Sequence, residues 1–310
     1  MKQLAREYVV LVLATLVWGS VHPTVKFALS ELTGMQLALF RPVCACLVLM
    51  TLVLSTGRAP RLLMELRAAP GVLCAMGVLG YATSGTLTSL ALTLLPAGVT
   101  SLISNASPLV LVIGGLALFR QRIGPVEMIG SIIGFGGVAV LTAGDLQFSG
   151  DLGAAVVGSL LALGSATAWA VYTAVARRLG RADPLITTAI TSFIGSLVVG
   201  FLAVPTQDWS RLAHVSTRVL LSTVWAGAVA TGCTYAAWSF ALRRLPAVVV
   251  APFAYLIPVS ALAISHVWLA EPLTLPVLIG AGLVLAGVAL SQATQFSLLL
   301  RSGRRPTIKV

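Results

Sequence analysis

The chain has 310 residues, of which 58% are hydrophobic and only 9% are charged, and its mean hydropathy is +0.99. Soluble domains carry roughly 25% charged residues, so this composition excludes a water-soluble globular protein and requires a surface that faces lipid. The net charge of +11 does not indicate a nucleic-acid partner, because basic residues in short loops set the orientation of membrane proteins.

Apolar segments along the chain predict ten transmembrane helices. A membrane-spanning helix needs about 20 apolar residues. Segments of this length, bounded by Gly, Pro or charged residues, are 8–28, 34–56, 70–92, 97–119, 125–144, 153–176, 184–204, 218–241, 247–269 and 274–296. The first is interpreted as an uncleaved helix, because no convincing signal-peptide cleavage site follows it. We therefore predict an all-α integral membrane protein, a tight up-and-down bundle without a separate soluble domain.

The positive charges are distributed unevenly over the predicted loops. With the N-terminus in the cytoplasm, 16 of the 20 Lys and Arg residues fall on the cytoplasmic side. The outer loops hold only Arg211 and Arg218, whereas Lys26 and Arg41 fall inside spans. This asymmetry follows the positive-inside rule and predicts an even number of spans with both termini cytoplasmic.

The second half of the chain repeats the first. Leu95-Pro96-Ala97 matches Leu245-Pro246-Ala247 at an offset of 150 residues. Further matches at an offset of 150 or 151 residues are Pro108 with Pro258, Gly130 with Gly280, Gly137-Val138 with Gly287-Val288, and Trp18 with Trp169. We predict two five-helix halves, residues 1–150 and 151–310. Because five is odd, the second half enters the membrane from the opposite side, an inverted repeat common among secondary transporters.

These residues, in their order, resemble a known transporter domain. They are Trp18-Gly19-Ser20, Phe40-Arg41, Leu95-Pro96-Ala97, Pro108 and Gly130/Gly137-Val138, followed by Pro258, Glu271 and Gly280/Gly287-Val288. Over about residues 8–292 the chain resembles a ten-helix EamA-type member of the drug/metabolite transporter superfamily, closest to the YddG group of aromatic amino acid exporters. It departs from the pattern where Gln121 stands in place of a Glu, and where the second half lacks a counterpart of Arg41.

The resemblance implies a central cavity between two inverted five-helix repeats, formed mainly by spans 1, 3, 4, 6, 8 and 9. It implies alternating access that moves small metabolites outward across the bacterial cytoplasmic (inner) membrane. The expected partners are the lipid bilayer and a small-molecule substrate, and a monomer is compatible with this scheme. We expect no catalytic residue, no metal and no cofactor.

Polar and aromatic side chains within spans identify the candidate substrate site, because polar groups normally turn away from lipid. The candidates that share a helical face are Trp18 and His22 (span 1), Tyr81 and Ser84 (span 3), Asn105 (span 4), Trp169 and Thr173 (span 6), Tyr235 and Trp238 (span 8), and Tyr255 (span 9). Such residues suit a planar or amphipathic solute. The alternatives are aromatic belts at the membrane surface, a histidine bonded to a backbone carbonyl, and hydroxyls that only join helices.

Three further residues within spans are singled out. Arg41 lies roughly 10 Å deep at 1.5 Å per residue and has no obvious acidic partner in the spans. It either satisfies carbonyls at helix ends or attracts a substrate carboxylate. Pro108 and Pro258 occupy mirrored mid-span positions, where a proline removes a backbone hydrogen bond and bends a helix. We predict that they are hinges, one per half; in a static channel they would be simple kinks.

The residues absent from the spans narrow the mechanism. No Asp or Glu falls in the middle of a predicted span, and His22 is the only candidate there that titrates near neutral pH. Facilitated diffusion and proton antiport therefore both stay open. The three histidines, His22, His214 and His266, lie far apart in sequence, which disfavours an enzyme with clustered ligands.

Together with the resemblance, the sequence predicts a secondary transporter, and not an enzyme, that exports small metabolites by alternating access, chiefly amino acids and especially aromatic ones. A broad drug or metabolite exporter is the alternative within this class. An intramembrane enzyme and a channel are the alternatives from other classes.

Overall fold

A computed structural model of the chain describes residues 2–110, 124–149, 151–180, 182–238 and 251–302. Within these ranges every regular element is a helix. The α-helices are α1 Lys2–Gly19, α2 Val21–Ala28, α3 Gly34–Ser55, α4 Ala59–Ala68, α5 Pro70–Met76, α6 Gly85–Leu94, α7 Ala97–Ser104, α8 Pro125–Ser149, α9 Leu152–Ala176, α10 Pro184–Ala203, α11 Thr217–Val224, α12 Leu256–Leu269 and α13 Leu275–Ser302.

Two π-helical segments and three 3-10 segments complete these elements. The first π segment, Gly77–Ser84, joins α5 to α6, and the second, Trp225–Cys233, follows α11. The 3-10 segments are Arg177–Leu179, Ser210–His214 and Ala251–Tyr255.

Seven helices in the described part of the chain are long and apolar enough to cross a membrane. They are Tyr8–Ala28, Gly34–Ser55, Pro70–Leu94, Pro125–Gly144, Leu152–Ala176, Pro184–Ala203 and Thr217–Trp238. Each of the seven coincides, within a few residues, with a predicted span, which confirms the all-helical membrane architecture. Two shorter apolar helices, Phe253–Leu269 and Leu275–Leu290, lie in the predicted ninth and tenth spans.

The predicted fourth span, 97–119, begins as α7 and runs into residues outside the described ranges. Gln121 and the second turn, Leu245-Pro246-Ala247, also lie outside the described residues. The total of ten spans and the inversion of the second half therefore stay predictions.

Helices α8 and α13 approach each other so closely that their backbones touch at glycines. A Cβ atom at Gly137 would lie 2.7 Å from the backbone N of Val284, and one at Gly287 would lie 2.4 Å from the backbone N of Gly134. Such distances leave no room for a side chain, so glycine is required at both positions. Small residues commonly allow this kind of close helix packing in membranes.

Glycines also allow close packing of the two π segments against neighbouring helices. A Cβ atom at Gly77, in the first π segment, would lie 2.7 Å from the Cβ of Ile194 on α10. One at Gly227, in the second π segment, would lie 2.5 Å from the Cβ of Cys44 on α3. The two glycines are separated by 150 residues, the offset of the sequence repeat. π-Helical turns are rare and frequently mark functional sites.

At the end of the bundle predicted to be external, Lys26 and Glu271 bind the two sides of one turn. The Lys26 ammonium donates to the carbonyl oxygens of Leu92 (2.7 Å) and Leu95 (2.8 Å), at the C-terminus of α6. The Glu271 carboxylate accepts from the backbone N–H groups of Ala97 (2.6 Å) and Gly98 (3.0 Å), at the N-terminus of α7. Both charges match the helix dipole at the end they bind.

Glu31 makes a similar contact at this end. Its carboxylate accepts from the backbone N–H of Ser216 at 2.5 Å, just before α11 begins. This hydrogen bonding lowers the pKa of Glu31 below its ordinary value of 4.5. The contact therefore persists above pH 4.5 and is lost only as the pH falls through a lower value.

At the opposite end of the bundle, Asp183, which precedes α10, binds two residues near α4. Arg58 forms a salt bridge with it at 3.1 Å, and the Glu65 carboxylate accepts from the backbone N–H of Asp183 at 3.0 Å. The Asp183 side chain also caps α10 by accepting from the N–H of Leu185. Both ends of the bundle thus carry charge-assisted contacts between distant parts of the sequence.

The two predicted hinge prolines lie just after irregular backbone instead of in the middle of regular helices. Helix α7 ends at Ser104, a turn follows at residues 105–106, and helix resumes with Pro108 in its first turn. Pro258 lies in the first turn of α12, after the 3-10 segment Ala251–Tyr255. A first-turn position suits proline, because the N–H that it lacks would have no helical partner there. Their role as hinges stays a prediction.

Candidate functional site

Aromatic rings from four separate regions of the chain meet inside the bundle. We call these residues the aromatic cluster: Trp18, Tyr81, Trp169, Tyr172, Tyr235 and Trp238. Tyr235 is its hub, with ring-centroid distances of 4.7 Å to Trp18, 5.8 Å to Tyr81 and 6.0 Å to Trp169. Five of the ten predicted binding residues are therefore neighbours in space.

The rings use the geometries that aromatic pairs favour. Trp18 and Trp238 meet edge to face at 5.8 Å with an interplanar angle of 81°. Trp169 and Tyr172 stack at 4.7 Å with an angle of 23°. Tyr172 was missing from the predicted site, although it lies three residues after Trp169 and hence on the same helical face. Helical spacing from Trp169 would have found it.

Glycines make room for two of these rings. The Cβ of Tyr81 packs against Gly195 of α10. A Cβ atom built on Gly195 would lie only 2.3 Å from it, so a side chain at position 195 would collide with Tyr81. The ring of Tyr172 lies over Gly80, where an added Cβ would be 2.5 Å from its Cδ2. The first π segment therefore carries both a ring of the cluster and the gap that admits another.

Arg41 of α3 extends toward the aromatic cluster. Its Nη2 atom lies 2.9 Å from the Cβ position of Gly85, so the guanidinium packs where α6 has no side chain. The charge lies within electrostatic range of the hydroxyls of Tyr81 and Tyr235 and of the His22 ring. Among the described residues the guanidinium forms no hydrogen bond or salt bridge. The helix-end carbonyls that sequence analysis offered as partners do not bind it there.

Two buried polar atoms beside Arg41 also lack partners in the ranges that the structure describes. They are the Nδ1 atom of His22 and the hydroxyl oxygen of Tyr81. The two side chains are only 7% and 6% exposed. Buried polar groups are nearly always hydrogen-bonded, so two atoms without a described partner, close to a guanidinium that also has none among the described residues, are unusual.

The other four predicted residues are hydrogen-bonded within the protein. Ser84 and Thr88 contact the hydroxyl of Ser165 on α9 at 2.9 and 2.7 Å, so they join two helices. Thr173 donates to the Trp169 carbonyl and Asn105 to the Ser101 carbonyl, both at 2.8 Å. The Tyr255 hydroxyl donates to the Val288 carbonyl of α13 at 3.4 Å. Short hydroxyl and amide side chains commonly bond a carbonyl one turn back in an apolar setting.

Across the described ranges, no three His, Cys, Asp or Glu side chains group closely enough to hold a metal ion. The site instead offers stacked rings, one cation and uncommitted hydrogen-bonding atoms. Such an arrangement can hold an apolar or planar solute that carries a polar group.

Comparison with known proteins identifies the family. The sequence profile of the EamA-like transporter family matches residues 5–143 and again 156–292. The uncharacterized transporter YvbV of Bacillus subtilis is 30% identical over 297 residues, covering 94% of this chain and 93% of the relative. A probable terminal-alkyne amino-acid exporter of Streptantibioticus cattleyicolor is 26% identical over 301 residues, covering 93% and 94%.

Two further similarities agree with this result. A probable amino-acid metabolite efflux pump of Salmonella typhimurium is 27% identical over 202 residues, covering 63% of this chain and 67% of the relative. One solved crystal structure superposes with a TM-score of 0.65 at 19% identity, covering 93% of this chain and 98% of the other, and shows the shared fold. Since the family profile covers most of the sequence in two copies, the chain belongs to the EamA-like transporter family of the drug/metabolite transporter superfamily.

Proposed function

We propose that this transporter exports amino acids, especially aromatic ones, by alternating access, and that the aromatic cluster is its substrate site. The observation that carries the proposal is the convergence of six rings with Arg41 in the bundle interior. Rings stack well on planar side chains, and the relatives named as amino-acid exporters support the solute class. The aromatic preference matches the resemblance to the YddG group.

The proposed architecture is ten helices in two inverted repeats, residues 1–150 and 151–310, with both termini in the cytoplasm. The reciprocal glycine contacts support the repeat, because Gly77 and Gly227 occupy equivalent places against α10 and α3. Gly137 of α8 packs against α13, and Gly287 of α13 packs against α8 in the equivalent way. An inverted repeat places one substrate site between two halves that can rock against each other.

In the proposed cycle, contacts at the two ends alternate. Opening to the outside requires release of the contacts of Lys26, Glu31 and Glu271, and opening to the cytoplasm requires release of the Arg58–Asp183 salt bridge. The irregular backbone before Pro108 and Pro258 supplies the bending points. Substrate would reach Asn105, Tyr255, Ser84 and Thr173 only after these residues release their present hydrogen bonds.

A counterflow assay tests this function. Purified protein in liposomes loaded with unlabelled tryptophan should accumulate labelled tryptophan or phenylalanine transiently, at equal pH on both sides. Protein-free liposomes are the control, and labelled cationic drugs test the broader exporter. Counterflow of drugs without that of any amino acid would refute the solute class. Uphill movement driven by a pH gradient alone would show proton antiport instead of facilitated exchange.

A further inference from the structure

We propose that Arg41, Tyr81 and His22 form a carboxylate-binding subsite at the edge of the aromatic cluster. The transported solute would then be a carboxylate with an apolar or aromatic body, such as a zwitterionic amino acid or an aryl-alkanoic acid. This inference rests on the proposed function, because it assigns one part of the same site. Its three supporting observations concern charge, unpaired polar atoms and position.

The first observation is that no acidic side chain in the described part of the chain forms an ion pair with Arg41. Of the nine acidic residues, none falls in the middle of a predicted span. Residues 111–123 and 239–250, which lie outside the described ranges, contain no Asp or Glu at all. An unpaired cation within a membrane protein is costly and normally marks a functional site. A bound anion would neutralise it, and a guanidinium matches the two oxygens of a carboxylate.

The second observation is that two more polar atoms point to the same missing ligand. The Tyr81 hydroxyl can donate one hydrogen bond, and the Nδ1 atom of His22 can donate when it carries the proton. Both are buried without a partner among the described residues. Leaving them unsatisfied costs free energy that a ligand would recover. The Arg41 guanidinium, the Tyr81 hydroxyl and the His22 ring are thus three potential donors near one another. They favour a ligand group with several acceptor lone pairs, such as a carboxylate.

The third observation is the position of the guanidinium next to the rings. Arg41 interacts electrostatically with Tyr81 and Tyr235, both of which belong to the aromatic cluster. A solute whose carboxylate binds Arg41 would therefore present its remaining atoms to these rings. The backbone of Arg41 packs closely against Gly227, since a Cβ atom built on Gly227 would lie 2.7 Å from the Arg41 carbonyl oxygen.

Arg41 has no charged counterpart at the equivalent position of the second half. The residue 150 positions after Arg41 is Thr191. Its carbonyl oxygen would lie 3.0 Å from a Cβ atom built on Gly77, just as the Arg41 carbonyl oxygen would lie 2.7 Å from one built on Gly227. The two backbones are thus equivalent, but only one carries a charge. A pseudo-symmetric site with one guanidinium fixes the orientation of a solute that has one carboxylate and one apolar end.

Three indole compounds test the subsite, both as competitors of labelled-tryptophan counterflow and as ligands in thermal-shift measurements on the purified full chain. Tryptophan carries a carboxylate and an ammonium group, indole-3-propionate only the carboxylate, and tryptamine only the ammonium group. With the wild-type chain we expect indole-3-propionate to compete about tenfold better than tryptamine, the effect of 1.4 kcal/mol.

Variants of Arg41 identify its role. Arg41→Gln should raise the KM for tryptophan about tenfold and remove the preference for indole-3-propionate, while binding of tryptamine stays unchanged. Arg41→Lys should keep part of the preference, because the charge remains but the planar fork is lost. Tyr81→Phe, which removes one hydroxyl, is the second variant if Arg41→Gln fails to fold. Arg61→Gln on α4, where Arg61 is exposed, is the matched control and should behave like the wild type.

The outcomes separate this inference from the proposed function. Equal competition by indole-3-propionate and tryptamine in the wild type overturns the subsite, and so does an Arg41→Gln variant that weakens all three ligands equally. If tryptophan is not transported but indole-3-propionate still stabilises the wild type and not Arg41→Gln, the subsite stands and the proposed substrate falls. If no carboxylate gives counterflow or a thermal shift, both fall.

Discussion

Tyr235 contacts three other rings of the aromatic cluster, and each of them comes from a different part of the chain. Helical spacing predicted that Trp18, Trp169 and Tyr235 face the interior, because polar and aromatic groups on one stripe avoid lipid. Spacing cannot tell which hydroxyls already have partners. Ser84 was predicted by the same rule, yet its hydroxyl is hydrogen-bonded to Ser165 of α9. Whether a hydroxyl finds such a partner depends on how two helices pack, and helical spacing within one span does not show this.

Trp169→Ala should weaken transport of aromatic amino acids. The substitution removes one face of the cluster, and we expect the KM for tryptophan to rise about tenfold, or 1.4 kcal/mol, in the counterflow assay. Trp268→Ala is the matched control, because Trp268 is 46% exposed and stacks on Phe27 away from the cluster. Equal kinetics for the two variants would remove Trp169 from the site.

The membrane-length helices follow directly from hydrophobic length and from Gly, Pro and charge at their ends, which is why predicted and observed bounds agree within a few residues. The two π segments were not predicted. Their residues are as apolar as those of the α-helices around them, so hydrophobicity does not distinguish an i→i+5 from an i→i+4 pattern. Their glycines matter only through the neighbours that they admit, such as Ile194 and Cys44.

The packing of α8 against α13 should depend on the glycines of α8 that face α13, and not on those that face elsewhere. Gly137→Ala would place a Cβ 2.7 Å from a backbone atom of α13, and overpacking of this kind costs about 1–3 kcal/mol. Gly136→Ala, one residue away, meets nothing within 4 Å, and alanine favours a helix over glycine. Thermal unfolding in detergent should show a lower midpoint for Gly137→Ala and an equal or higher one for Gly136→Ala. A lower midpoint for both would contradict the close packing of α8 against α13 at Gly137.

Orientation in the membrane is a property of the whole molecule, and the basic residues predict it better than any contact does. On a cysteine-free background, Ser210→Cys should react with a membrane-impermeant maleimide added to intact cells, because the loop before α11 is predicted to be external. Ala59→Cys, at the start of α4, should react only after permeabilisation. Both positions are exposed, so a reversed pattern would reflect orientation and would refute cytoplasmic termini.

The turn between α6 and α7 has a consequence for genetics. Lys26 and Glu271 each bind backbone atoms there, namely the carbonyl oxygens of Leu92 and Leu95 and the N–H groups of Ala97 and Gly98. Replacing a side chain on the receiving side leaves the bonded atom in place, unless proline removes an N–H. Mutations that loosen this end should therefore concentrate at the two charged residues, and compensating exchanges between paired side chains should not arise there.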